Sequence, residues 1–221
     1  MPLNKFLSAT GSPVELTYIG ASSDGGGGTT YTFLSTSIGT ASADRLVIVA
    51  VTGGHADAKH NLTDVTIGGV SATIHATPAD PNTNDSWISC GIASLVVTTG
   101  TTATIGVTWD KSINGCSVAV YTLKDYQSST PIDTYEDASV ANATSISATI
   151  DLRGGGATVF VASLRENLSS WSSAISDYAF QDGDAGIGVA HITGDTSESG
   201  HTETMTMASS DTRSIAAVTW R

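Results

Sequence analysis

Histidine and acidic side chains cluster in one polar stretch of the chain, where they could bind a metal ion. His55, Asp57 and His60 lie close together in the segment HADAKHNLTD. Imidazole and carboxylate groups are good ligands for zinc and related ions. The spacing, however, matches no established metal-binding motif, and a polar loop does not hold ligands in a fixed geometry. We therefore predict no metal site here, and we predict His75 and His191 to be core or edge residues of strands.

A second candidate cation site is the segment QDGDAG. Asp182 and Asp184 are spaced like the first ligands of a calcium-binding loop. The remaining oxygen ligands and the closing glutamate of such a loop are missing, so an ordinary Asp-Gly turn between strands is the better interpretation.

Residues that could support catalysis are scattered. Paired carboxylates would have to come from glutamates that we predict to face solvent: Glu15, Glu136, Glu166, Glu198 and Glu203. No G-x-S-x-G motif occurs, and Cys90 and Cys116 lie in apolar runs typical of buried, free thiols. We expect a non-enzymatic protein, and we predict no catalytic, cofactor-binding or metal-ligating residue and no cofactor.

Four tryptophans could stack on sugar rings if they were exposed. They are Trp87, Trp109, Trp171 and Trp220. Core or rim packing is favoured for them because tryptophan is mostly buried. Trp109 and Trp220 each end a VTW triplet, which predicts equivalent places in two halves of the chain.

The elements that would position these residues are short β-strands. Leu46 to Val51 form a β-branched run bounded by polar residues and glycines, the pattern of a strand covered on both faces. Gly68 and Gly69 separate two short β-branched runs, as a two-residue hairpin requires. The run Gly25 to Gly28 is predicted as the flexible tip of a hairpin between PVELTYIG and TTYTFL, and Glu166 to Ile175 as a loop.

The second half of the chain repeats the pattern of the first. ATVFVASL parallels DRLVIVAV, and AGIGVAHI parallels CGIASLVV. We predict an all-β, jelly-roll-like β-sandwich with two pseudo-repeated halves of antiparallel strands. One domain over 13–221 is expected, with halves of about 13–124 and 145–221 joined by an irregular connector, after a flexible N-terminal arm over 1–12. Two tandem small sandwiches are the alternative.

Composition restricts the partners. Nine Lys and Arg against 21 Asp and Glu give a net charge of −12, which disfavours nucleic acid and anionic membrane surfaces. The N-terminus has no sustained apolar segment typical of a secretion signal, and no stretch is long and apolar enough to predict a membrane span.

The strand pattern also carries a family resemblance. ADRLVIVAV at 43–51 and VTIGGVSAT at 65–73, followed by TGTTATIGVTW and CSVAVYTLKDY, resemble structural proteins encoded by tailed bacteriophages and prophages, especially those of alphaproteobacterial hosts. The likeness spans most of the chain. It implies a virion component and assigns no catalytic residue.

These features lead to one expectation and one alternative. We expect a head decoration or cement protein on the particle exterior that binds the major capsid protein or other virion proteins as a homo-oligomer, with a trimer as one option. Neither nucleic acid nor membrane is an expected partner. The alternative is a tail- or fibre-associated module that binds host glycans through the loops His55 to Asn61 and Pro78 to Ser86.

Overall fold

A computed structural model describes residues 12–55, 60–78, 87–165, 168–182 and 185–221, without the side chains of 55, 87, 139–142, 182 and 185. These residues form antiparallel β-sheets, so the all-β prediction is confirmed. The strands are β1 Glu15–Asp24, β2 Gly28–Ser37, β3 Leu46–His55, β4 Leu62–Ile67, β5 Val70–Ser71, β6 Thr73–Ala76, β7 Trp87–Val96, β8 Thr102–Ile113, β9 Gly115–Lys124, β10 Asp133–Leu152, β11 Gly156–Leu164, β12 Leu168–Trp171, β13 Ile175–Asp182, β14 Ala185–Gly194 and β15 Glu198–Trp220.

The strands assemble into three sheets. The inner N-sheet has the order β1-β9-β3-β7-β6, and the outer N-sheet has the order β2-β8-β4-β5. The inner C-sheet has the order β10-β15-β11-β14-β13, with β12 paired to β15. A jelly-roll order of the strands stays a prediction. The described residues include no helix long and apolar enough to cross a membrane.

The long strands β10 and β15 each serve two layers. Their pairing is interrupted between Ser139 and Ser145. Beyond this break, residues 145–152 of β10 and 198–206 of β15 form a ribbon, here called the C-ribbon, to which β12 pairs. Ile146 and Met205 of the ribbon pack in one cluster with Phe160 of β11, so the ribbon covers the outer face of the inner C-sheet.

The two halves of the chain share a strand order. Position by position, β1-β9-β3-β7-β6 corresponds to β10-β15-β11-β14-β13, and the outer N-sheet corresponds to the C-ribbon. The parallel between DRLVIVAV and ATVFVASL is therefore the correspondence of β3 with β11, which also contact each other. Each half thus builds two layers by itself, and the expected sandwich is extended to a stack of four.

Three clusters of buried side chains fill this stack. One lies between the N-sheets and draws only on the first half, and another lies between the inner C-sheet and the C-ribbon and draws only on the second. The third, the shared core, joins the inner sheets and contains residues such as Ile48, Tyr121, Val159 and Trp220. The halves are therefore held together by apolar burial, which scales with the area removed from water.

Strand β3 shows why the sequence produces this arrangement. Leu46, Ile48 and Ala50 face the shared core, whereas Val47 and Val49 face the outer N-sheet. Side chains alternate between the two faces of a strand, so a strand buried on both faces must be apolar at every position. The prediction of a doubly covered strand at Leu46 to Val51 is confirmed, since these residues are at most 1% exposed.

One predicted hairpin is confirmed and one is wrong. Gly68 and Gly69 have φ values of 63° and 82° and connect β4 to its partner β5, as a type I′ turn requires. By contrast, β1 pairs with β9 and β2 with β8, so the glycine-rich turn carries the chain from one sheet to another. Tyr31 and Phe33 point into the core between those sheets, which fixes β2 on the outer one.

Two segments predicted as irregular contain strands. The connector is irregular only as far as Ile132, because β10 begins at Asp133 and pairs with β15. Within the predicted loop Glu166 to Ile175, residues 168–171 form β12. Both segments are rich in polar residues, and their strand structure depends on pairing with distant residues of β15.

Arg45, which begins the buried run, has no exposed surface. Its guanidinium donates hydrogen bonds to the carbonyl oxygens of Ile38, Gly39, Val97 and Thr99 at 2.7–3.1 Å. The planar guanidinium group thus hydrogen-bonds to two chain segments, 38–39 and 97–99, at once. The ammonium group of a lysine could not make this set of hydrogen bonds.

Candidate functional site

One side of the stack exposes three edge strands next to one another. These are β2 of the outer N-sheet, β1 of the inner N-sheet and β13 of the inner C-sheet, and we call this side the lateral face. Strand β1 contacts β2, and Tyr18 of β1 lies near Asp177 and Tyr178 of β13. Each of the three has a break in register, at Phe33/Thr36, Tyr18/Gly20 and Ser176/Tyr178. Such bulges bend an edge strand and hinder its pairing with a strand of another molecule. The lateral face is therefore suited to contacts through side chains.

The bulge in β13 directs an acidic side chain inward. The carboxylate of Asp177, 8% exposed, accepts hydrogen bonds from the buried Tyr121 hydroxyl and from His191 Nδ1, both at 2.8 Å. This arrangement places the proton of neutral His191 on Nδ1 and leaves Nε2 as an acceptor. Within the part of the chain that the structure describes, Nε2 of His191 has no hydrogen-bond partner.

Tyrosine rings lie next to this Asp–His pair, and Phe180 follows them along β13. Tyr18 of β1 packs edge-on against Tyr121 at 5.3 Å, and Tyr178 stacks on Phe180 at 6.3 Å with an interplanar angle of 23°. Burial, followed by the proximity of Tyr178 and Asp177, raises the pKa of Tyr18. Phe180 is 40% exposed at the edge. We call the set Tyr18, Asp177, Tyr178, Phe180 and His191 the β1–β13 rim.

The opposite rim of the same interface is built differently. There β6 lies beside β10, and the main-chain N–H of Thr77 donates to Glu136 Oε2 at 2.6 Å. His75, the histidine of that rim, contacts Ser94 Oγ at 2.7 Å and packs on Trp220. That rim is thus closed by hydrogen bonds, whereas the β1–β13 rim presents a partly exposed aromatic stack.

A second polar cluster has the connectivity of a catalytic triad. Ser173 Oγ lies 3.3 Å from His201 Nε2, and His201 Nδ1 lies 3.0 Å from Glu198 Oε2. Beneath them Glu203 is fully buried, so the prediction that it is solvent-facing is wrong. It lies in β15 below the 172–174 segment, where the alternation of the strand points it inward.

The surroundings of Glu203 do not favour acyl transfer. Its carboxylate accepts hydrogen bonds from the main-chain N–H groups of Ser173 and Ala174 and from the hydroxyls of Ser172 and Ser173, the last at 2.5 Å. Because these N–H groups already donate to Glu203, they are not available to stabilise an oxyanion beside the Ser173 hydroxyl. Burial opposes ionisation, but the hydrogen bonds outweigh it and hold the pKa of Glu203 below its ordinary value. The cluster is a clasp that fixes 172–174 to the C-ribbon.

A groove of about 390 Å³ separates β1 from β2 on the lateral face. Ile19 and Gly20 line one wall, and Phe33, Leu34 and Ser35 line the other. Leu34 is 74% exposed and Ser35 has a φ of 51°, so the bulge of β2 turns an apolar side chain toward solvent.

The two segments that were considered and rejected as cation sites lie only partly within the described residues. His60 is fully buried, packs on Trp109 at 5.2 Å and has Nε2 3.2 Å from the Gly53 carbonyl oxygen. Asp57, Asp184 and the side chains of His55 and Asp182 lie outside the described residues, as do most of the proposed glycan-binding loops. Among the described residues, no group of three or more His, Cys, Asp or Glu side chains is arranged to hold a metal ion.

The other glutamates predicted as scattered carboxylates lie apart. Glu15 is exposed on β1 and lies 3.5 Å from Lys124 Nζ, and Glu136 is on the opposite rim. Glu166 lies outside the described residues.

Both cysteines and three of the four tryptophans are core residues, and the side chain of Trp87 lies outside the described residues. Cys90 faces the shared core and Cys116 faces the outer N-sheet, on opposite sides of the inner N-sheet, and both thiols are free. Burial raises the pKa of Cys90 to about 12. Trp109, Trp171 and Trp220 are at most 8% exposed, so they offer no sugar-stacking face. The predicted equivalence of Trp109 and Trp220 is wrong, since one lies in the outer N-sheet and the other in an inner sheet.

The β1–β13 rim was not recognisable from the sequence. Its residues come from β1, β13 and β14, and an extra residue in one strand decides that Asp177 points inward. The segment SDYAF is the only part of the sequence that hints at the rim, because it combines an acidic residue with two aromatic residues. Strict alternation along a strand would, however, place Asp177 and Tyr178 on opposite faces.

Comparison of the chain with protein-family models, with curated proteins and with solved structures gives no match, so its function has to be inferred from its own residues.

Proposed function

We propose that the chain is a non-enzymatic structural protein of a tailed-bacteriophage particle, which binds the head exterior as a decoration or cement protein. The observation that carries the proposal is the lateral face, where three blunted edge strands expose apolar side chains such as Leu34 and Ile175, 74% and 59% exposed. Exposed apolar residues grouped on one side of a folded protein are typical of protein interaction sites.

Charge and chemistry support the same proposal. The chain carries a net charge of −12, which disfavours contact with packaged DNA. The triad-like cluster is arranged as a clasp around Glu203. The partners would be the major capsid protein or another virion protein and further copies of this chain, with a trimer as one arrangement. Many weak contacts repeated over a particle would add up through avidity.

Particles of the encoding phage that lack this chain provide the test. We expect them to release DNA at a lower temperature than complete particles. When the salt concentration is lowered, they should also release DNA at a salt concentration at which complete particles are still intact. Added wild-type protein should restore resistance to both treatments. Leu34→Asp should fail to restore it, because a charge in the contact cannot be desolvated cheaply. Val70→Asp, at a 58% exposed site on the far edge strand β5, is the matched control. Equal resistance of complete and deficient particles would refute the cement role.

A further inference from the structure

We propose that the β1–β13 rim is a binding site for a neutral saccharide, which stacks on the Tyr178–Phe180 pair and hydrogen-bonds to His191. This inference is independent of the location of the protein on a particle. It concerns a site formed by Tyr18, Asp177, Tyr178, Phe180 and His191, outside the loops and tryptophans that the sequence indicated.

The aromatic pair supplies the apolar part of such a site. Tyr178 and Phe180 are two residues apart in an edge strand, on the same face, and their rings are nearly parallel at 23°. With Phe180 40% exposed, ring surface remains open to a ligand. Aliphatic C–H groups on one face of a pyranose pack well on such a surface, because the face of an aromatic ring is electron-rich.

The Asp–His pair supplies the polar part. Asp177 holds His191 Nδ1 at 2.8 Å and thereby orients the ring, and the imidazole side chain is 18% exposed. Its Nε2, without a partner among the described residues, is an acceptor for a hydroxyl hydrogen. A few oriented polar groups beside an apolar surface are the usual composition of a small-molecule site.

Electrostatics selects among ligand classes. Carboxylate and phosphate ligands would be repelled by the adjacent Asp177 carboxylate and by the net charge of −12. A hydroxyl group is neutral and can both donate and accept, so it fits beside a histidine in either protonation state. Neutral sugars therefore fit the rim better than anionic ones.

The internal repeat argues that the rim is not required for folding. The opposite rim, where the corresponding edge strands β10 and β6 meet, is closed by the Glu136–Thr77 hydrogen bond. At the opposite rim, the corresponding pair of edge strands therefore meets without a partly exposed aromatic stack, so the fold does not require one.

Saturation-transfer NMR of the full chain with methyl glycosides of glucose, galactose, mannose, rhamnose and N-acetylglucosamine tests the proposal. We expect at least one glycoside to bind with a Kd on the order of 1 mM, as the size of a monosaccharide allows. Amide resonances of β13 and β14 should shift on titration. No transfer to any of the five sugars, or shifts confined to other strands, would overturn the proposal.

Substitutions at the stacking position provide the second arm. Phe180→Ala should raise the Kd for the sugar by at least about tenfold, because it removes the aromatic ring. Phe180→Trp should leave the Kd nearly unchanged, because it keeps an aromatic ring at this position. Leu34→Ala removes an exposed apolar side chain elsewhere on the lateral face and should leave the Kd unchanged. Thermal unfolding of each variant checks the fold, and unaltered binding by a folded Phe180→Ala variant would exclude this site.

Discussion

At the level of single residues, Glu203 shows how the fold uses a buried charge. It has no exposed surface, yet hydroxyl and main-chain donors from 172–174 satisfy its carboxylate. Removing one partner of a buried, hydrogen-bonded charge costs far more than the net stabilisation by the intact arrangement. Glu203 is therefore expected to dominate the attachment of the 172–174 segment.

Glu203→Gln should lower the free energy of unfolding by about 2–4 kcal/mol, because the amide presents its own donors to the main-chain N–H groups. The folded-state pKa of Glu203 is lowered. Its stabilising contribution is therefore present above the unfolded-state carboxyl pKa of about 4.3 and is lost as pH falls through the folded-state pKa. Chemical denaturation between neutral and acidic pH measures both effects.

Glu198→Gln is the control, since this side chain is 55% exposed. It should change the free energy of unfolding by less than about 0.5 kcal/mol. If Glu203→Gln changed the free energy of unfolding as little as Glu198→Gln does, the clasp would contribute no stability.

At the level of elements, the close approach of the inner and outer N-sheets depends on a missing side chain. A Cβ at Gly53 in β3 would lie 2.6 Å from Trp109 Cζ2 and 2.8 Å from Ile113 Cδ1. Both neighbours are buried and cannot turn toward solvent. The glycine therefore sets the spacing at this end of the two sheets.

Gly53→Ala should destabilise the protein by about 1–3 kcal/mol through overpacking. Gly194→Ala is the matched control within a strand, because no atom lies within 4 Å of the position its Cβ would take. Thermal unfolding of both variants measures the difference. If Gly53→Ala were as stable as Gly194→Ala, the spacing of the two sheets would have to be adaptable.

The same elements show what a sequence can predict. The runs at Leu46 to Val51 and 156–164 are apolar at nearly every position, and burial on both faces explains this directly. The first part of strand β10, residues 133–144, was not predicted, because its polar residues are stabilised by pairing with β15. The rim was missed because the bulge at Asp177 and the meeting of β1 with β13 are properties of long-range packing.

At the level of the whole molecule, the shared core couples the two halves. Each half has its own core, but residues of both fill the cluster between the inner sheets. Separating the halves would expose this entire apolar interface to water, at a cost proportional to its area. We therefore expect the four layers to unfold as one cooperative unit.

The two thiols report on this cooperativity, because Cys90 lies at the shared core and Cys116 under the outer N-sheet. A buried, protonated thiol does not react until its interface opens. At low concentration of a thiol-specific reagent, both cysteines should therefore be labelled at the same rate in the native protein. Mass spectrometry of digested samples measures each rate, with unfolded protein as the reference. Much faster labelling of Cys116 alone would show that the outer N-sheet detaches independently.

The outermost layers carry ladders of hydroxyl groups. On the outer N-sheet, Thr30 and Thr32 are exposed, and on the C-ribbon Ser147 pairs with Thr204 and Thr149 with Thr202. Well-hydrated hydroxyl faces offer little apolar area to a neighbour, whereas the lateral face offers Leu34, Ile175 and Phe180. The molecule therefore combines hydrophilic outer layers with a lateral face that exposes apolar side chains. If neighbouring copies pack through the lateral face, as the proposed decoration role requires, they would form a layer one molecule thick.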